Sequence, residues 1–133
     1  MWPKNLIMDS RRIPQIDLFI CVTFLIITTI GIIFRFLFQF NTILQYIGNS
    51  LGNIGGVIVI SYLFFWWIKE VRFWERKRII LYVGAGLIVY EFIQVFIPWQ
   101  TFDVQDLIGT LIGSVIAFLL DGLIFIFITE KNN

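Results

Sequence analysis

KEVRFWERKR, residues 69–78, carries five of the chain's ten Lys and Arg residues and separates two apolar runs. Upstream of it, residues 47–68 contain no charged side chain. Downstream, residues 79–97 contain one, Glu91. Farther out lie two more apolar runs, residues 17–38 and 105–129, each long enough as a helix to cross a hydrocarbon core of about 20 helical residues. The chain has 133 residues, 59% of them hydrophobic and 14% charged, and a mean hydropathy of +0.88. A soluble domain of this length needs far more polar surface. These features predict an all-α membrane protein, a four-transmembrane-helix bundle forming one domain over residues 1–133.

The basic residues also predict orientation. Lys4, Arg11 and Arg12 precede the first run, five lie in residues 69–78, and Lys131 follows the fourth. With four spans, these nine of ten fall on one side, and only Arg35 falls on the other. The positive-inside rule makes the basic side cytoplasmic, with both termini there. The first run exceeds the 7–15 residues of a signal-peptide core and has no small-residue cleavage site after it, so it reads as an uncleaved anchor. Trp66 and Trp67 suit the inner interface, Tyr46 and Trp99 the outer one, and Trp74 the inner membrane surface. The expected location is the cytoplasmic membrane of a bacterial cell, with the lipid bilayer as first partner.

Composition narrows the chemistry. The chain has no His, which removes the usual general base near neutral pH and the commonest metal ligand. Its one cysteine, Cys21, sits in an apolar run and reads as an inert thiol. No basic patch interleaved with aromatics marks a nucleic-acid surface. Neither a metal nor a cofactor is expected.

Small residues recur on two segments. Gly48, Gly52 and Gly56 lie every four residues beside Asn49 and Asn53, and Gly109 and Gly113 lie four apart. Such faces let helices approach closely in lipid, with asparagine bonding across the contact. They predict contact between the second and fourth spans, or with a second copy in a homodimer. Ile47, Gly48 and Gly52 match Ile108, Gly109 and Gly113 at an offset of 61, which fits a duplicated helical hairpin or chance recurrence.

The polar residues of the outer half form the candidate site. Glu91 and Gln94 are three apart and share a helix face. Glu91 should lie roughly 10 Å into the outer leaflet, where a charge costs up to about 3 kcal/mol. It therefore needs a partner, and Arg35 is the only basic residue on that side, facing Glu91, Asp103 or Asp106. Asp103 and Asp106 have a simpler reading as the N-cap and N3 residues of the fourth helix. They also begin a stripe with Thr110, Gly113 and Ala117 that could face the third span. Asp121, near the inner end, is expected to neutralise Lys69 or Arg78. Pro98 reads as a helix terminator.

The run Glu91-x-x-Gln94-x-x-x-Pro98, followed by Asp103-x-x-Asp106 and Gly113, resembles the signature of the VanZ-like family of small bacterial membrane proteins. Trp99-Gln100 stands where that family has Gly-Arg after the proline, and Thr110 where it has Asn. The resemblance implies an extracytoplasmic role linked to glycopeptide (teicoplanin-type) antibiotic resistance and the cell envelope. The expected activity is binding of an amphiphile, envelope lipid or lipoglycopeptide through Glu91, Gln94, Asp103 and Asp106, with Arg35 balancing charge. A membrane enzyme acting on a lipid-linked envelope substrate is the second reading, through carboxylates that hold a cation or form an acid/base pair. A small transporter is the third.

Overall fold

A computed structural model describes residues 13–37, 42–68, 71–97 and 102–131. Lys4, Arg11, Arg12, Lys69, Pro98 and Trp99 lie outside these residues, as does the Lys131 side chain. The described chain is helical: α1 (Ile13–Leu37), α2 (Thr42–Ile68), α3 (Phe73–Gln94) and α4 (Val104–Lys131). Segments of α1, α2 and α4, namely Ile13–Leu37, Tyr46–Ile68 and Val104–Ile128, are long and apolar enough to cross a membrane. They match three of the expected spans to within a few residues. Phe19, Phe36, Trp67 and Phe127 stand outward among many other exposed apolar side chains. A surface of that kind is stable against lipid and not against water.

The third segment departs from expectation. Helix α3 starts at Phe73, six residues early, and takes Glu75, Arg76, Lys77 and Arg78 into its first two turns. The basic connection is therefore half helix, and Trp74 belongs to α3. These charges keep α3 from ranking with the apolar spans. The start is favoured locally: the Glu75 carboxylate accepts the Arg72 N–H at 3.1 Å, satisfying a donor just outside the first turn. At the other end, Phe96 N–H donates to Ile93 and Ile97 N–H to Gln94, both at 3.0 Å. This tighter i→i+3 winding closes the helix just before Pro98, whose ring disfavours α geometry in the residue preceding it.

Helix α2 is the centre, packing on each of the other three. Its Ile58, Tyr62 and Phe65 join Cys21 of α1, Ile80 of α3 and Ala117 of α4 in the buried core. The Cys21 thiol faces α2, 3.7 Å from the Val59 carbonyl. Close approaches replace bulk at two contacts. A Cβ on Gly48 would lie 2.8 Å from the Gly31 carbonyl oxygen of α1, and one on Gly113 would lie 2.6 Å from the Ile54 carbonyl oxygen of α2. Gly109 is similarly tight against Asn53 at 2.9 Å, whereas Gly52 and Gly56 have nothing within 4 Å. Thus α2 meets α1 through Gly48 and α4 through Asn53 and Ile54. The paired positions of the suspected repeat have different neighbours: Gly48 faces α1, and Gly109 faces α2. The late part of α1 meets the early part of α2, and α2 and α4 run the same way.

Candidate functional site

At the end of the bundle holding the start of α4, the polar side chains expected from sequence separate into distinct roles. Asp103 is the N-cap of α4: its carboxylate accepts the Gln105 N–H at 2.9 Å, and its carbonyl accepts the Asp106 N–H at 3.1 Å. A carboxylate here satisfies an orphan donor and faces the positive end of the helix dipole. Asp106 does not complete a capping box. Its carboxylate turns to α2 and accepts a hydrogen bond from Asn53 Nδ2 at 2.5 Å, a charge-assisted contact directly beside the Gly109 close approach. Asn53 therefore fastens α4 to α2, and the glycine sets how near the helices come.

Glu91 comes in from α3. Its side chain is 6% exposed, and Oε2 is buried with no hydrogen-bond partner among the described residues. Asp106 and Asp103 are the charged groups that act on it. Gln94, three residues on, is half-buried at the end of α3. Arg35 does not supply the expected ion pair. It is exposed near the end of α1 and has no described carboxylate within 4 Å, although its charge reaches Asp106. Among the described residues the cluster thus keeps three carboxylates without a contacting cation. Gln105 Oε1 of α4 and Asn49 Oδ1 of α2 are likewise buried with no hydrogen-bond partner among the described residues. Among the described residues, no three His, Cys, Asp or Glu side chains are spaced to share a metal ion.

The opposite end holds a second polar centre that the sequence reading missed. Arg76 is 2% exposed and forks onto Asp17 of α1, with Nη1 to Oδ2 at 2.8 Å and Nη2 to Oδ1 at 2.6 Å. Its Nε donates to Asp121 of α4 at 2.5 Å. Lys77 Nζ lies 3.4 Å from the other Asp121 oxygen and donates to the Phe118 carbonyl. The Phe65 ring of α2 covers the guanidinium, 3.9 Å from its carbon. Two cations meet two anions here, so the centre is neutral, and four helices contribute to it.

Of the expected partners of Asp121, Lys69 lies outside the described residues and Arg78 is corrected. Arg78 points outward, and Arg76 and Lys77 take the carboxylate. One signal was readable: Asp17 and Asp121 are isolated acids within apolar runs, and each needs a cation.

Comparison with family models, curated proteins and solved structures finds no match for the chain. The class defined by fold and site is a small all-helical protein with helices that can span a membrane, a neutral charge centre at one end and an unbalanced acidic cluster at the other.

Proposed function

We propose that all four helices span the cytoplasmic membrane of a bacterial cell with both termini inside, and that the Glu91–Asp106 cluster is an extracytoplasmic site for an amphiphile or envelope lipid, in the manner of a VanZ-like protein of glycopeptide resistance. One observation carries the site: Glu91 is buried, its Oε2 has no hydrogen-bond partner among the described residues, and the Asp106 charge acts on it. Such a group costs stability, and a bound ligand that donates to it compensates the cost. Asp106 and Gln94 add contacts, Asp103 holds the start of α4 in place, and Arg35 contributes long-range charge.

The neutral centre supports α3 as the fourth span. It brings the starts of α1 and α3 and the end of α4 to one level, as alternating crossings require. With 22 residues, α3 is about 33 Å long, and its two buried cations have partners at the basic end. The basic residues then gather on the cytoplasmic side, and the acidic cluster faces out.

Expression in a sensitised bacterial host tests the reading. The parent protein should lower susceptibility to a teicoplanin-type lipoglycopeptide, and Glu91→Gln or Asp106→Asn should remove that protection. Equal protection by both variants, at parental levels in the membrane, would overturn the site. In a Cys21→Ala background, Phe102→Cys should react with an impermeant maleimide on intact cells and Arg72→Cys only after permeabilisation. The reverse pattern would overturn the orientation.

A further inference from the structure

We propose that the Glu91–Asp106 cluster selects a cationic amphiphile, one whose headgroup is a protonated primary amine and whose hydrocarbon chain lies along Phe92 and Phe102. This rests on the amphiphile-site reading above and adds the charge and hydrogen-bonding character of the headgroup.

Charge points to a cation. Glu91, Asp103 and Asp106 act on one another, and Arg35, whose charge reaches Asp106, is exposed and without a described carboxylate within 4 Å. The other end of the same protein shows what balance looks like: Asp17 and Asp121 are met by Arg76 and Lys77. Glu91 and Lys77 are equally buried, at 6% exposed, while Asp103 and Asp106 are only half-buried, and of the two centres only the one at Lys77 has its counter-charges built in.

Hydrogen-bond capacity points to an amine. Glu91 Oε2, Gln105 Oε1 and Asn49 Oδ1 are buried acceptors without donors among the described residues. The Asn53 amide is already directed to Asp106, and Asn49 lies one helical turn from Asn53 on the same face of α2. An alkylammonium offers three N–H donors and no acceptor, which suits such surroundings; a hydroxyl offers one donor and adds acceptors. A bare metal ion lacks support, since no three described carboxylates are spaced for one.

The aromatic pair points to the chain. Phe92 and Phe102, next to Glu91 and Asp103 in sequence, stack with ring centroids 5.7 Å apart and planes 27° from parallel. Both are exposed. They form an apolar strip between the end of α3 and the start of α4, beside the acids. Their faces also attract a cation held nearby.

Equilibrium dialysis tests this on the full chain in nanodiscs of uncharged headgroup, with empty nanodiscs subtracted. The probes are dodecylammonium, dodecyltrimethylammonium and dodecanol. Dodecylammonium should bind saturably, and dodecyltrimethylammonium, equal in charge but without N–H donors, about ten-fold more weakly. Glu91→Gln and Asp106→Asn should each weaken dodecylammonium by about ten-fold, whereas Glu75→Gln, at the opposite end, should leave it unchanged. The proposal fails if dodecyltrimethylammonium binds as tightly as the primary amine, or if neither site variant weakens binding. Saturable, Asp106-dependent binding of dodecanol at equal affinity would sink the headgroup assignment and leave the amphiphile site standing. Absence of saturable binding by any probe would sink both.

Discussion

Replacing Arg76 by Met should be among the most damaging single changes in this protein. The guanidinium makes three short hydrogen bonds, two to Asp17 at 2.6 and 2.8 Å and one to Asp121 at 2.5 Å. Both carboxylates are 1% exposed, so neither can recover its partner from solvent. Breaking a buried pair by removing one member costs about 3–5 kcal/mol, mostly from the stranded charge. Lys77 remains 3.4 Å from Asp121, so the loss falls chiefly on Asp17 and should sit near the lower bound. At about 3 °C per kcal/mol for a chain of this length, Arg76→Met should lower the melting temperature by about 10 °C.

Thermal unfolding of the detergent-solubilised protein, read by loss of the monodisperse peak on size-exclusion chromatography, measures this. Asp17→Leu alone should destabilise similarly, because it strands excess positive charge. The double variant Asp17→Leu/Arg76→Met leaves the Lys77–Asp121 pair neutral and replaces the other pair with apolar contact. It should recover at least half of the summed loss of about 6 kcal/mol, a coupling of about 3 kcal/mol. An Arg76→Met protein melting within about 2 °C of the parent would refute the reasoning, and so would a double variant equal to the sum of the singles.

Two further changes test other parts of the structure. Gly113→Val places a Cβ 2.6 Å from the Ile54 carbonyl oxygen and should cost about 3 kcal/mol or more by forcing α2 and α4 apart, whereas Gly52→Ala meets nothing within 4 Å and should be neutral or stabilise by up to about 1 kcal/mol. Equal melting temperatures for the two would refute the assigned contact face. Asp103→Ala should lower stability by about 1 kcal/mol, whereas Asp103→Asn keeps the cap and should stay within a few tenths; equal losses would show that the charge of Asp103, and not its capping oxygen, is what matters.

Spans and caps were legible because their signals are local. The apolar lengths behind α1, α2 and α4 and the Asp103 cap are each contained in one window of sequence. The start of α3 was not legible, because it depends on partners 45 and 59 residues away. Arg76 and Lys77 look like solvated loop charges until Asp121 and Asp17 neutralise them, and no periodicity in residues 69–78 encodes that pairing. The acidic site was legible in composition and not in geometry. Spacing put Asp103 and Asp106 on one stripe, yet their carboxylates diverge, one to its own helix and one to Asn53. Arg35 was chosen as counter-ion because it was the only cation on that side, but α1 packs chiefly against α2 and leaves the guanidinium exposed.

The Asp17–Arg76 pair also sets an order of events during synthesis. Helix α1 packs chiefly on α2, and its ionic tie to α3 spans 59 residues of sequence. A nascent chain that has released only α1 and α2 carries Asp17 without its partner, so the first hairpin lacks the ion pair that neutralises this acid. Arrival of α3 supplies the arginine, and arrival of α4 supplies Asp121, the second acid. A chain truncated before residue 76 cannot complete this centre and leaves Asp17 without its guanidinium, whereas the finished protein hides the same acid from view.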